Sequence, residues 1–443
     1  MCWIIVVEAH QGGEMGVAKP VRRWLLAAVI VLSGVPGTAL AASEVDILLD
    51  KLVEKGVLTG VEAGLIRREI SETKETRYKE LAKEVVPDSA RNWKWKGDIR
   101  LRNEYRDQEG TGNDRNRQRI RFRYGFESKV NDQLRVVARI ATGTSSTGGT
   151  TGNPISTNQS FDTNFVKKNI NLDMAYAEYA PMMPSPDSKV QILGGMFETP
   201  FFAVTPLVFD HDLSYDGAAV KFAQTMGPVT LFTNDGVFSL DTDETEAASL
   251  WIAQVGASVM PFADDEEEEL KNLKLTGTLA YQDYRNVSNA AKAGTDIIAR
   301  EAQNTANASD FNQLNPNIEL ASVVAGMPVS LFGDWVHNFS AGSLNNDGFQ
   351  TGFKLNKATV PWDLMKGWEA GYAFQELQAD AAFDEFADSD FNDGGTNNHG
   401  HIFWVTLATL KNSTLGAKYF IAKNLEGAKD VEDRLQLDWV TKF

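Results

Sequence analysis

The sequence predicts an all-β protein, a transmembrane antiparallel β-barrel of about 16 strands with a short N-terminal α-helical segment. Three observations carry this expectation. The last ten residues, Arg434 to Phe443, alternate strictly between apolar and polar; the same period of two recurs from Trp93 onward; and long and short connections alternate between the runs. Side chains along a strand point to opposite faces, so a period of two gives each run one greasy face and one wet face.

In the terminal run Leu435, Leu437, Trp439, Thr441 and Phe443 share one face, while Arg434, Gln436, Asp438 and Lys442 share the other. This is what the closing strand of a membrane barrel requires. The first strand sets Trp93, Trp95, Gly97, Ile99, Leu101 and Tyr105 against Lys94, Lys96, Asp98, Arg100, Arg102, Glu104 and Arg106. The second opposes Ile120, Phe122, Tyr124 and Phe126 to Arg117, Arg119, Arg121, Arg123 and Glu127. In the third, Leu134, Val136, Ala138 and Ile140 oppose Arg135 and Arg139.

Strands are expected to begin near positions 93, 117, 134, 169, 188, 216, 228, 248, 272, 317, 328, 347, 367, 399, 413 and 432. Long polar connections span 143–168, 198–215, 285–316 and 381–398, and tight ones sit at 131–132, 226–228, 326–327 and 412–413. That rhythm matches an outer-membrane barrel, with large outer loops, tight periplasmic turns and an even strand number. The strands near Ile170, Lys189 and Asn317 are ambiguous, because Glu178 falls on the parity of Ile170, Leu172 and Met174; fourteen or eighteen strands stay open. Closure does not, since lipid leaves no partner for an unpaired strand edge.

Ahead of the barrel, residues 1–41 read as a signal peptide with its probable true start at Met15. Lys19, Arg22 and Arg23 precede an apolar run from Trp24 to Leu32, and Ala39-Leu40-Ala41 is the cleavage site. Residues 42–90 form the expected helical or coiled-coil segment: Val45, Leu48, Leu49, Leu52 and Val53 recur at helical spacing, Gly56 interrupts, and Thr59 with Glu62 has capping-box spacing. Residues 91–443 are the barrel. The only cysteine, Cys2, falls in the cleaved segment, so no disulfide or thiolate metal site is expected. A net charge of −17 argues against a nucleic-acid partner.

A barrel of this size is too wide for its side chains to fill and encloses water. Arg100, Arg102, Arg117, Arg119, Arg121, Arg123, Arg135 and Arg139 would then line the lumen as a basic wall. The loop from Pro200 to Asp216 carries Asp210, His211, Asp212 and Asp216 and is expected to fold inward as a constriction facing the arginines. The expected function is passive diffusion of ions and small hydrophilic solutes, with outer-membrane lipid as the surrounding partner. Two alternatives stay open: an anion- or phosphate-selective channel using the arginine ladder, or a structural barrel tethering membrane to cell wall through residues 43–86.

The signal peptide, the segment Leu48-Leu-Asp-Lys-Leu-Val-Glu-Lys-Gly56, the opening strand Trp93 to Arg102, Phe209-Asp-His-Asp-Leu213 with Gly217, and terminal Phe443 together resemble the putative porin family of Gram-negative outer membranes. The resemblance implies a general-porin-like diffusion barrel in the outer membrane, a homotrimer, and delivery to the barrel-assembly machinery through the C-terminal strand. It implies no cofactor.

Other constellations read as structural. The acidic run Asp264 to Glu269 reads as a solvated turn, with adventitious Ca²⁺ as the alternative, and His399 with His401 supplies only two of the ligands a metal site needs. None of the H-E-x-x-H, G-x-S-x-G, phosphate-loop or G-x-G-x-x-G signatures occurs, and no enzyme is expected.

Overall fold

The structure is a computed structural model, describing residues 44–69, 92–109, 114–143, 152–161, 164–241, 247–287, 304, 311–340, 344–427 and 431–443. The chain divides into two compact units, residues 1–85 and 86–443. The signal-peptide reading lies outside the described residues.

In the first unit, helix α1 spans Glu44–Glu54 and a second helix covers 60–69. Gly56, at φ 72°, ends α1 in a Schellman motif: its N–H donates to the Val53 carbonyl at 3.0 Å and the Val57 N–H reaches the Leu52 carbonyl at 3.0 Å. The Thr59 N–H donates to Glu62 Oε2 at 2.8 Å and the Glu62 N–H to Thr59 Oγ1 at 3.2 Å. That is the capping box expected from the spacing.

The second unit is a closed antiparallel barrel. Its strands are β1 (Trp93–Gln108), β2 (Arg115–Lys129), β3 (Leu134–Thr142), β5 (Ile170–Tyr179), β6 (Ser188–Glu198), β7 (Ser214–Met226), β8 (Val229–Asp241), β9 (Ala248–Val259), β10 (Lys274–Arg285), β11 (Phe311–Val324), β12 (Met327–Asn338), β13 (Asp347–Asn356), β14 (Trp368–Leu377), β15 (Asn398–Leu410), β16 (Ser413–Asn424) and β17 (Glu432–Lys442). A two-residue strand, β4 (Gln159–Ser160), sits in the loop after β3 and pairs with β2. Sixteen strands therefore make the wall, each paired with its sequence neighbours, and β17 pairs back onto β1.

The seam is sealed by the last residue. The Gly97 N–H donates to the Phe443 carbonyl at 2.8 Å, and the Phe443 N–H returns a bond to the Gly97 carbonyl at 2.9 Å. The phenylalanine ring lies where a Gly97 Cβ would be, 2.6 Å away, so only glycine fits there. Leu435, Leu437 and Trp439 share the outward face with it, and Arg434, Gln436 and Asp438 turn inward.

Two strands that were ambiguous in sequence have local explanations. The β3–β5 register shifts at Asp173, so the parity of β5 reverses: Ile170 and Leu172 face out before the bulge, and Glu178 faces in after it. In β11, Pro316 lacks an N–H, and the β11–β12 ladder skips Asn315 and Pro316. Asn315 Nδ2 compensates by donating to the Trp335 carbonyl at 2.6 Å. This proline is why the sequence reading starts that strand at 317 rather than at Phe311.

Gly227-Pro228, Ala325-Gly326 and Lys411-Asn412 are two-residue links, and 130–133 joins β2 to β3 with four residues. At Ala325-Gly326 both residues have positive φ, 50° and 78°, the twist that antiparallel neighbours need. Connections 260–273 and 357–367 at the same end are longer.

Candidate functional site

The inward face of the barrel divides by charge. Register sets Arg100, Arg102 and Arg106 of β1 beside Arg115, Arg117, Arg119, Arg121 and Arg123 of β2, with Arg135 and Arg139 on β3. Packing so many guanidinium groups together requires compensation, and carboxylates provide it. Asp98 on β1 accepts from Arg121 Nε at 3.0 Å and from Arg123 Nε at 2.8 Å. Buried Glu104 pairs with Arg117 at 2.6 Å and approaches Arg119 at 3.6 Å. Arg135 is bonded to Glu178, and Arg139 to Asp173 and Glu198. Arg102 makes a bidentate pair with Asp438, at 2.7 and 2.9 Å. Arg100 is held by a neutral partner, Asn158 Oδ1, at 2.7 Å. The arginine wall is a lattice of ion pairs more than an uncompensated positive surface.

The loop between β6 and β7, residues 199–213, runs across the inside of this wall. Its first half hydrogen-bonds to inward amides and a carboxylate on other strands. The Phe202 N–H donates to Gln254 Oε1 at 2.9 Å, the Val204 N–H to Asn317 Oδ1 at 3.0 Å, and Thr205 Oγ1 to Asp334 Oδ2 at 2.6 Å. Its middle is apolar: Leu207 and Val208 are buried against Val336, Leu377, Ala381 and Ala382. Its return places Asp212 3.5 Å from Arg123 and 3.7 Å from Arg121, while Thr157 Oγ1 donates to it at 3.2 Å. Burial opposes ionisation of Asp212, but Arg121, Arg100 and Arg123 outweigh it and hold its carboxyl below the usual range.

Asp210 does something different from what the sequence suggested. Its two oxygens accept the N–H groups of Asp212 and Ser389, each at 2.8 Å, so it shapes the loop instead of facing the arginines. Burial and the nearby Asp388 and Asp212 push its carboxyl well above the ordinary range. His211 turns to the open lumen, where burial lowers its pKa. Asp216 is not part of the loop at all. It lies on β7, where even-numbered residues face outward with Val220 and Phe222, and so cannot meet the arginines.

A second loop, residues 378–397, matches the long connection expected at 381–398, but its contacts with the arginine wall were not anticipated. Asp390 bonds to Arg102 at 3.0 Å and accepts from Gln436 at 2.9 Å; Asp393 bonds to Arg434 at 2.6 Å and pairs with Arg106. The two loops also hold each other, the Asp210 N–H donating to the Phe386 carbonyl at 2.7 Å, and Ser389 Oγ donates to the Ile155 carbonyl in the connection after β3 at 3.1 Å. The acidic residues of 378–397 were the only sequence signal, and their partners lie 41 to 288 positions away.

Between the inner wall of β12 to β17 and the two loops lies a cavity of about 320 Å³, with Lys354, Glu369, Trp404, Lys418 and Asp438 on the wall and Thr205, His211 and Asp388 on the loops. These wall residues gave no sequence signal, because single lysines on β13 and β16 lack the density of the arginine run. Of the weaker constellations, His399 and His401 face outward, His401 Nδ1 lying 2.9 Å from the Tyr372 hydroxyl. In the acidic run the Glu269 carboxylate accepts the Ala325 N–H at 3.0 Å, tying two turns together.

The family model described as putative porin matches residues 103–317 and 293–443. Among solved structures, OprB of Pseudomonas putida at high pH is similar over 80% of this chain and 94% of its own, with 12% identity and a TM-score of 0.50. OmpF of Salmonella typhi matches over 79% and 97%, with 9% identity and a TM-score of 0.46. The outer-membrane channel DcaP of Acinetobacter baumannii matches over 79% and 97%, with 13% identity and a TM-score of 0.45. At these identities the likeness concerns the fold alone. A search of the curated proteins finds no match.

Proposed function

The chain belongs to the putative porin family, an outer-membrane channel rather than an enzyme, and from that premise we propose that it passes ions and small hydrophilic solutes by passive diffusion along the lumen beside the loop 199–213. The observation that carries this is the inward loop: it occupies the barrel from Gln254 to Arg123 yet leaves the space along β12 to β17 open. A sixteen-strand barrel without such a loop would be a wide, undiscriminating hole; with it, the path narrows and gains charged edges. Opposed charges across a narrow pore act on every solute that crosses.

Selectivity is expected to be weak. The arginines, which suggested an anion or phosphate track, are largely spent on Asp98, Glu104, Asp173, Glu178, Asp390 and Asp438. The homotrimer, and recognition of the closing strand by the barrel-assembly machinery, remain part of the proposal on the strength of the family alone.

Reconstitution into a planar bilayer tests the reading. Stepwise ionic currents, with a reversal potential near zero in a KCl gradient, are expected. Deleting residues 203–212 should raise the single-channel current severalfold. A barrel that inserts without current would overturn the channel and favour a tether, and a strong anion preference would restore the arginine track.

A further inference from the structure

Two rows of inward side chains, fixed by strand register, line the open part of the lumen. One row runs Lys354, Gly371, Trp404, Lys418 across β13 to β16. The neighbouring row, two residues along each strand, runs Glu369, Thr406, Gly416, Asp438 across β14 to β17. Trp404 ties them together. Its ring lies over Gly371, where a Cβ would come within 2.1 Å of it, and its Nε1 donates to Glu369 Oε1 at 3.3 Å. An indole fixed in the row between two lysines makes an apolar surface with a cation on either side.

The charges in this cavity are not all used. Asp438 is neutralised by Arg102. Lys418 lies over the Phe420 ring at 4.6 Å, and among the described residues neither it nor Lys354 has a carboxylate within ion-pair distance. Opposite them, Asp388 is 7% exposed; its Oδ1 accepts the Asp390 N–H at 2.9 Å, and its buried Oδ2 has no hydrogen-bond partner among the described residues. A buried carboxylate oxygen left unmatched carries a desolvation cost that a ligand donor would relieve. The lining thus offers two unspent ammonium groups, one unspent carboxylate oxygen and the carboxylate of Glu369. Its charges cancel in sum but are separated in space.

A site of that kind disfavours simple ions of either sign, because an anion meets Asp388 and Glu369 and a cation meets Lys354 and Lys418. We propose that the cavity binds zwitterionic α-amino acids in transit, the carboxylate between Lys354 and Lys418, the α-ammonium at Asp388, and the side chain along Trp404. This rests on the channel reading above and names the solute class the lumen retains.

Leucine, N-acetyl-leucine and leucinamide are suitable probes, since they share a side chain and differ only in which charged end is present. Each is added to the protein in a planar bilayer while single-channel KCl current is recorded. Leucine is expected to interrupt the current, and the other two to do so at least about tenfold more weakly, the loss expected when a charge-assisted bond is removed. The double variant Lys354→Gln/Lys418→Gln and the variant Asp388→Asn should each weaken the leucine effect about tenfold while conducting KCl and keeping the heat-modifiable gel mobility of a folded barrel. Equal or stronger interruption by N-acetyl-leucine would overturn the proposal in favour of an anion site, and stronger interruption by leucinamide in favour of a cation site. Steady KCl current that no probe interrupts would overturn the amino-acid site and leave the channel standing; absence of any current would overturn the channel itself.

Discussion

On β1 to β3 and β17 the inward polar side chains are mostly arginines and carboxylates; on β9 to β14 the buried polar side chains are mostly amides, among them Gln254, Gln282, Gln313, Asn317, Gln350 and Gln375. The same loop is fixed to both halves. Gln254 and Asn317 hold its outgoing limb through neutral hydrogen bonds, and Arg121 with Arg123 hold its return through Asp212. The difference teaches that a lumen can be polar in two physically distinct ways. A neutral hydrogen bond contributes about 1 kcal/mol and ignores pH, whereas a buried ion pair contributes little net but is costly to break from one side.

The largest effect should therefore come from removing the cations of the charged half. Arg121→Ala with Arg123→Ala strands Asp98 and Asp212, and breaking one side of a buried pair costs about 3–5 kcal/mol. A clear drop in the thermal unfolding midpoint and a shift of reversal potential toward cation preference are expected. An unchanged midpoint would mean the lattice contributes nothing to holding the wall together.

Acid should separate the halves next. Burial alone would raise the carboxyls of Asp212, Asp390 and Asp393, but the facing guanidinium groups outweigh it and hold all three low. Such groups contribute stability that is fully present above the unfolded value of about 4 and is lost as pH falls through the depressed folded values. The loop 378–397 should therefore loosen only below the ordinary carboxylate range, seen as noisier current and faster proteolysis there. The loop 199–213 should instead begin to lose stability as pH falls below the unfolded histidine value of about 6.5, because burial disfavours the charged form of His211. Loosening of 378–397 that begins near neutral pH would contradict the assignment.

Smaller is the effect of Gln254→Ala, which removes the acceptor of the Phe202 N–H and the donor to its carbonyl at 2.9 Å each. About 1–3 kcal/mol of local destabilisation is expected, since two backbone groups lose partners, and the accompanying rise in current noise should be the same at every pH. Smallest is Asp216→Asn, which should leave conductance and selectivity unchanged because that side chain faces outward; a changed reversal potential would return Asp216 to the pore.

The charged half was readable because arginine at every second position of β2 repeats over a few residues of contiguous chain. The amide half was not, since Gln254, Asn317 and Asp334 are single residues on strands far apart in sequence and acquire meaning only when the loop reaches them. In β5 the parity of Glu178 signalled a conflict without locating it at Asp173. One extra residue in β5 reverses which side chains face water, and nothing in its composition announces that a bulge rather than a regular pair will form.

The count of sixteen strands was settled only by the structure, while the period of two and the alternation of long and short connections by themselves determined the barrel and which face of most strands meets lipid. These are local properties, set by side-chain alternation and by the need to pair every backbone group in hydrocarbon. The interior was decided only by the tertiary structure. Whether Asp212 meets an arginine, whether Asp390 reaches Arg102 across 288 residues, and whether Lys354 and Lys418 are left unpaired depend on where a ring of sixteen strands brings its loops. Local sequence carries no record of that distance, because the contacts form only once β17 has closed on β1.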